Sequence, residues 1–378
     1  MKSKLLLCGM VFGILILQAL VLAQDEGPKP PFVSSPRRVM TAPELKDAPD
    51  EWIDRSLQWI DYILENYRPA VMEHPVRRAA LIRLDDILHI DSAPTKGLVQ
   101  KFYRGRMEQA IANIEQTKVS EGMHIWKLYN MGFLVRTPSV SLAFDIVPGM
   151  PGTKVPEFAV SRNLLQRLAV QADVMFISHM HFDHANQDVA RLFLENNKPV
   201  VAPEGLWSAV PDLASRLTYP QRAVDVIHSI PVRSGAQVLK VVAYPGHQGK
   251  SPIVNVHLVT TPDGFTVVQT GDQSGFEGPG GDFDWIAHIG RDHRVDVLLP
   301  NCWGNSLGRT IRGVNPELVI TGHENEMAHT VDHREDYTQT YNHLFESRYP
   351  AIVMAWGESY HFRRDPGRLE ALTGVVHN

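Results

Sequence analysis

The sequence predicts an α/β layered domain behind a helical N-terminal region, and three observations carry that prediction. Between Pro49 and about Thr117 apolar residues recur at helical spacing. From Gly122 onward the period shortens to that of strands. There, short apolar runs alternate with amphipathic stretches, the order expected of sheets covered by helices. Composition agrees. In 378 residues, 44% hydrophobic and 21% charged, there is material for a large core and more than one region. This excludes a disordered chain, a fibre and a disulfide scaffold. Thirty-seven Lys and Arg against 42 Asp and Glu give a net charge of -5, so no basic footprint marks a nucleic-acid partner.

The N-terminal residues read as an address. Lys2 and Lys4 precede the apolar run Leu5 to Leu17, and Val21-Leu22-Ala23 places small residues before Gln24. This is the pattern of a secretory signal cut after Ala23, with the mature chain exported to the periplasm or beyond. The alternative is an uncleaved anchor, since Leu5 to Ala23 is just long enough to span a bilayer. Cleavage removes Cys8 and two lysines, leaving Cys302 as the single cysteine of a more acidic chain with no stable membrane insertion. Residues 24–48, with Pro28, Pro30, Pro31, Pro36 and Pro43, read as an extended linker.

Residues 49–120 follow as a helical region. Trp52, Ile53, Ile60, Ile63 and Leu64 form one stripe, Val76 to Leu88 a second, and Leu98 to Ile114 a third, with breaks near Pro69 and Pro94. Such stripes are core faces, and the isolated His74 and His89 are expected to be structural or exposed. Residues 121–378 form the second region. Strands are expected at 125–135 and 140–146 around Thr137-Pro138-Ser139, and at 174–177, 199–202, 238–243 and 253–259. Others are expected at 265–269, 295–299, 318–321 and 351–355. A helix is expected near Ser161 to Val170, and Gly149 to Thr153 reads as a loop.

Histidine is the unusual count, with 17 residues, several of them clustered. The strand at Val174 runs into Ser178-His179-Met180-His181-Phe182-Asp183-His184. A loop leaving a strand end can aim His179 and His181 at one ion and Asp183 and His184 at a neighbouring position. Imidazole and carboxylate suit zinc, and also manganese or iron. Three further candidates, His247, Asp272 and His323, each follow a glycine at the end of an apolar run. Any one alone would read as an ordinary strand-end polar residue. Together with the cluster, in this order, they read as a metal centre.

The HxHxDH motif with its three followers resembles the metallo-β-lactamase superfamily, from about Gly122 to the C-terminus. The resemblance implies an αββα sandwich, here with an N-terminal helical extension, and a two-metal site at one edge of the sheets. It implies that His179, His181 and His247 hold the first ion, that Asp183, His184 and His323 hold the second, and that Asp272 bridges them. The implied cofactors are two divalent ions, zinc first, with Mn2+ or Fe2+ as alternatives. The implied reaction is hydrolysis of a small molecule's lactone, ester or phosphoester bond by a metal-bridging hydroxide, with Asp183 orienting the hydroxide or taking its proton. The true β-lactamases of the superfamily lack the bridging Asp, and flavo-diiron proteins carry Glu where this chain has His181. The broad branch that includes ascorbate-6-phosphate lactonase is the nearest match. The alternatives are an iron oxidoreductase on the same fold and a phosphodiesterase.

Other residues carry weaker expectations. Ser178, Thr270 and Thr321 stand beside ligands as candidate hydrogen-bond partners. Trp303 and Asn305 are placed to line the pocket, while Arg309 and Arg312 read as solvated charges, with receipt of an anionic group as the alternative. His329 and His333 read as surface residues, His361 has no spacing that ties it to the metals, and Cys302 reads as a small buried hydrophobe.

Overall fold

The computed structural model describes residues 48–150, 155, 157–277, 281–304 and 306–364. The expected signal peptide, all but the last residue of the expected linker, Pro151 to Thr153 and Asn305 lie outside the described residues.

Among the described residues three helices come first: α1 (Asp50–Asn66), α2 (Pro75–Leu88) and α3 (Gly97–Gln116). They follow the three apolar stripes, and the breaks fall at the expected prolines. The His74 ring caps α2, its Nδ1 accepting from the Val76 amide at 3.2 Å. One sheet has the strand order β13-β1-β2-β3-β4-β5. Its strands are β1 (Met123–Lys127), β2 (Phe133–Arg136), β3 (Ser141–Phe144), β4 (Val174–Phe176), β5 (Val200–Val201) and β13 (Ser359–Phe362). The other runs β12-β11-β10-β9-β8-β7-β6. It contains β6 (His228–Val232), β7 (Gln237–His247), β8 (Ile253–Thr260), β9 (Thr266–Gln269), β10 (Val297–Leu299), β11 (Leu318–Ile320) and β12 (Ala351–Ile352). The remaining helices are α4 (Arg162–Gln171), α5 (Gln187–Glu195), the short α6 (Pro211–Ala214), α7 (Asp282–Asp292), α8 (Leu307–Val314) and α9 (Tyr337–Ser347).

The period of two along each strand sorts side chains into two cores. Ile125, Phe133, Leu142 and Phe176 of the first sheet meet Val241, Val267, Leu299 and Ile320 of the second in one cluster between the sheets. Their neighbours Trp126, Leu134, Met175, Leu298 and Val319 face outward and pack with the helices. This is the αββα sandwich that the motif resemblance implies.

One expected strand is corrected. Residues 125–135 form not one strand but β1 and β2, joined by a tight turn. Leu128 N donates to Gly132 O at 2.7 Å and Gly132 N to Tyr129 O at 2.8 Å. Asn130 sits at φ 53°, a conformation asparagine tolerates, and a side chain at Gly132 would meet the Tyr129 carbonyl at 2.7 Å. The apolar run hides this turn because the turn itself is buried. Two antiparallel edge strands, β6 and β13, were not expected: their residues alternate with polar ones and lack a continuous apolar run.

The N-terminal helices are stitched to the sandwich by buried polar contacts. The Arg77 guanidinium donates to both Glu358 oxygens, at 2.9 and 2.7 Å, and to Val353 O at 2.6 Å. Arg106 donates to Trp356 O at 3.1 Å. Asp85 Oδ1 accepts from Asn325 Nδ2 at 3.0 Å and from Tyr337 N at 3.1 Å. Helix α2 therefore supports the loop that carries His323.

Asp85 gives a pH prediction. Burial pushes its carboxyl up to about 8, against the hydrogen bonds from Asn325 and Tyr337. Between the ordinary carboxylate range and pH 8, folding takes up a proton, so stability falls as pH rises through that window. Asp85→Asn keeps the Oδ1 acceptor and removes the ionisation. It is expected to melt higher than the wild type at pH 9, on the order of several degrees, with no such gain at pH 4. A variant that melts lower than the wild type by the same margin at both pH values would rule this out.

Candidate metal centre

The ligand-bearing segments reach one edge of the sandwich by local design. At the exit of β4, Ser178 N donates to Asp145 Oδ1 at 2.7 Å, fixing the departure of the chain. The amides of His184 and Ala185 then donate to the His181 carbonyl at 3.0 and 2.8 Å, a turn that folds Asp183 and His184 back over the strand end. Asn186 caps α5 directly afterward, accepting from Val189 N at 3.0 Å. Asp272 follows β9 through Gly271, at φ 51°. A Cβ at Gly271 would lie 2.4 Å from Ser178, so only glycine lets this loop pass so close. His323 leaves β11 at φ 76°, and its amide donates to Asn130 O at 3.2 Å. His247 is the last residue of β7 rather than a residue beyond it.

Two groups of ligand atoms result. Asp183, His184, Asp272 and His323 form one and His179, His181 and Asp272 the other, each with its ligand atoms within 4.8 Å of one another. Asp272 belongs to both. Its Oδ1 lies 3.2 Å from His184 Nε2 and 3.5 Å from His323 Nε2, and its Oδ2 lies 3.7 Å from His179 Nε2. Asp183 Oδ2 lies 3.2 Å from His184 Nε2 and 3.5 Å from His323 Nε2. His247 is in neither group; its Nδ1 is held by Asp282 Oδ1 at 2.8 Å.

His179, His184 and His247 share one construction, in which an oxygen bonds Nδ1 and leaves Nε2 as the ligand atom; beside His323 a carboxylate oxygen stands near Nδ1 without a hydrogen bond. Asp145 Oδ2 holds His184 at 2.9 Å, Ser178 Oγ holds His179 at 3.0 Å, Asp282 holds His247, and Glu335 Oε2 lies 3.3 Å from His323 Nδ1. Because a carboxylate only accepts, Asp145 and Asp282 fix the tautomer with the proton on Nδ1. A metal fits what is left over. Among the described residues, His179 Nε2, His184 Nε2, His323 Nε2 and Asp272 Oδ1 are all buried without a hydrogen-bond partner. Buried polar atoms of this kind are rare unless something binds them. Neutral imidazole and carboxylate are the donors that divalent zinc, manganese and iron take.

Electrostatics points the same way. Burial would hold His184 neutral, but the Asp272 and Asp183 carboxylates keep its imidazole well above the ordinary range. His323 is raised in the same way, against burial, chiefly by Asp272. Asp183 and Asp272 are held well below the carboxylate range, burial notwithstanding, by those two rings. His179 is pushed down to about 3 by burial, with His184 adding repulsion. The acids thus stand ionised, and cations would replace the protons on the rings, so metal affinity should weaken in acid.

Several residues in this construction carried no sequence signal that drew notice: Asp145, Asp282, Glu335 and Asn130, whose Nδ2 donates to Asp183 Oδ2 at 3.0 Å. Of the expected hydrogen-bond partners, Ser178 plays that part. Thr270 donates to Gly271 O instead, and Thr321 Oγ1 has no partner. Trp303 does reach the site, its ring 5.9 Å from that of His323. His333 is exposed as expected, but His329 is half-buried with its ring 5.5 Å from His323, because its Nδ1 is drawn in to His333 O. His361 stacks on His124 along β13 and bonds to Glu121 O. Cys302 is buried. His89 bridges the carbonyls of Asp85 and Arg334, and neither His74 nor His89 joins either ligand group.

No protein-family model matches the chain, and no curated protein does. Among solved structures, the chain is similar to Igni18, a metallo hydrolase from Ignicoccus hospitalis, at 16% identity and a TM-score of 0.48, over 64% of this chain and 99% of that one. It is similar to the metallo-β-lactamase fold protein YhfI from Bacillus subtilis at 14% identity and a TM-score of 0.44, over 64% of this chain and 100% of that one. It is also similar to CmlA, a diiron β-hydroxylase from Streptomyces venezuelae, at 14% identity and a TM-score of 0.44, over 65% of this chain and 55% of that one. The chain's own geometry defines the class: an αββα sandwich with a candidate divalent-metal centre at its edge.

Proposed function

We propose that the chain is an exported dinuclear-metal hydrolase that cleaves an ester-like bond in a small molecule, a lactone or carboxylic ester ahead of a phosphoester. The supporting observation is the pair of ligand groups that share Asp272, with Nε2 of His179, His184 and His323 buried and without a hydrogen-bond partner among the described residues. In this reading the seven residues His179, His181, Asp183, His184, His247, Asp272 and His323 hold two ions, zinc first. His247 would hold the first ion through Nε2, the nitrogen that its bond to Asp282 leaves free. Ions bound there would supply an activated water and a Lewis acid.

The remaining work falls to the chain's own groups. Asp183, fixed by Asn130 and held ionised, would orient that water. Gln248 Nε2 donates to Asp272 Oδ2 at 3.1 Å and sets that carboxylate's rotation. Met180 and Phe182 project outward between the ligands, 65% and 47% exposed, and Phe276 lies 5.9 Å from the His247 ring. They form an apolar rim suited to a non-polar part of a substrate.

The test is kcat/KM on matched lactone, ester and phosphodiester substrates with zinc- and manganese-loaded protein. The lactone or ester should lead. Failure of every hydrolytic substrate, together with oxygen consumption by an iron-loaded sample, would put the oxidoreductase in its place. Export is tested by sequencing the N-terminus of protein from the native host. It should begin at Gln24, whereas a chain keeping residues 1–23 in the membrane fraction would mean an anchor.

A further inference from the structure

We propose that the groove between α8 and α9 is a subsite for an anionic group of the substrate, a carboxylate or a phosphate. This rests on the hydrolase reading and narrows its substrate class.

The groove has a volume of about 350 Å³, enough for a small molecule's side group. Arg309 and Arg312 of α8 and His343 and Glu346 of α9 line it, with Gly304 and Ser306 at its inner end. Of the two guanidiniums, Arg309 has Glu277 at 3.8 Å, which leaves Arg312 as the lining cation open to an anion, with Glu346 the lining carboxylate. The two arginines are held differently. Arg309 stacks over the Phe283 ring at 4.1 Å and lies 3.8 Å from Glu277, which fixes it as one wall. Arg312 makes no ion pair among the described residues, and its planar fork matches carboxylate and phosphate oxygens. His343 is also pre-set. Its Nδ1 donates to the Cys302 carbonyl at 2.9 Å, so Nε2 is the ring's remaining polar atom.

The inner end of the groove is tied to the metal centre on two sides. Gly304 N donates to Asn301 Oδ1 at 2.9 Å. Asn301 Nδ2 in turn donates to the carbonyls of Gly271 and Gln273, each at 3.1 Å, on either side of Asp272. Trp303, one residue earlier, packs against His323, and its Nε1 is buried without a partner. In this proposal an anion seated on Arg312 has the rest of a small ester running past Gly304, the groove residue tied through Asn301 to the loop that carries Asp272. The apolar rim of Met180 and Phe182 would then meet the substrate's non-polar part.

The test has two arms, both on the full, metal-loaded chain. The first measures binding of inorganic phosphate and of succinate by calorimetry to the wild type, Arg312→Gln and Arg312→Lys. Loss of one charge-assisted contact should weaken both ligands about tenfold in Arg312→Gln, with part of the affinity kept in Arg312→Lys. An unchanged Kd in Arg312→Gln would mean that these anions bind elsewhere, the metals included, and would overturn the proposal. The second arm compares kcat/KM for an ester bearing a carboxylate with that for its neutral counterpart. The ratio should fall about tenfold in Arg312→Gln, through KM. An unchanged ratio would overturn the assignment of the groove to substrate. The first arm needs no turnover, so a chain that hydrolyses nothing would sink the functional reading while the anion site stands or falls on Kd alone. Arg312 is exposed, and equal melting temperatures would show that the variants are folded.

Discussion

Alanine in place of Asp272 is expected to cost the chain both ions. Asp272 is the one residue in both ligand groups, with Oδ1 toward His184 and His323 and Oδ2 toward His179. Its loss leaves one group as His179 and His181 and the other as Asp183, His184 and His323, with one carboxylate between them. Loss of an outer hydrogen-bond partner to a ligand costs about 10–100-fold in affinity or activity, and loss of the shared ligand should exceed that in both metal affinity and kcat/KM. A second signature follows from the charges. Asp272 is the main group raising His184 and His323, so the metal-free variant should carry less charged rings there near neutral pH. Elemental analysis and the NMR titration of the imidazoles read the two effects separately. Asp272→Ala protein that keeps two ions per chain would contradict the assignment.

The second large effect is expected at Asp145, which never touches a metal in this account. Its carboxylate accepts four hydrogen bonds: from Ser178 N at 2.7 Å, Ser178 Oγ at 2.6 Å, Gln269 Nε2 at 2.7 Å and His184 Nδ1 at 2.9 Å. It aims His184 directly and His179 through Ser178. In Asp145→Ala these buried donors lose their acceptor, at about 1–3 kcal/mol each where no water reaches them. Metal affinity should fall about 10–100-fold and the melting temperature should drop. Asp145→Asn should repair little of this, because its amide nitrogen would face donors at one of the two positions. A chelator competition on folded protein separates the two roles. Unchanged metal affinity in a variant that merely melts earlier would make Asp145 a structural residue only.

These two residues show what sequence could and could not reveal. Asp272 was legible because it belongs to a pattern: ligands at successive strand ends, after glycine, downstream of HxHxDH. Asp145 directly follows the apolar strand Leu142-Ala143-Phe144, and an acid at a strand end was the signal available for it. Its partners Ser178 and Gln269 lie 33 and 124 residues away, so no spacing announces them. Asp282 holds His247 from a helix start and Glu335 stands 3.3 Å from His323 Nδ1 in a loop, positions where an acid ordinarily caps or solvates. The same logic hid the role of α2. Arg77 and Asp85 look like polar-face residues in a helical stripe, yet both are buried against the sandwich. The sandwich itself was largely visible, because period-two alternation writes both cores into each strand. It failed where that signal fades, at the buried turn through Asn130 and at the polar edge strands β6 and β13.

The measurement that bears most directly on the central claim is the metal-to-chain ratio of the full protein and two single-ligand variants, by elemental analysis. His181 stands in one ligand group and His323 in the other, so each variant should disable one site and spare its neighbour. The wild type should hold about two ions, and His181→Ala and His323→Ala about one each. A wild type that saturates at one ion, or variants that both keep two, would contradict a centre built from two groups around Asp272.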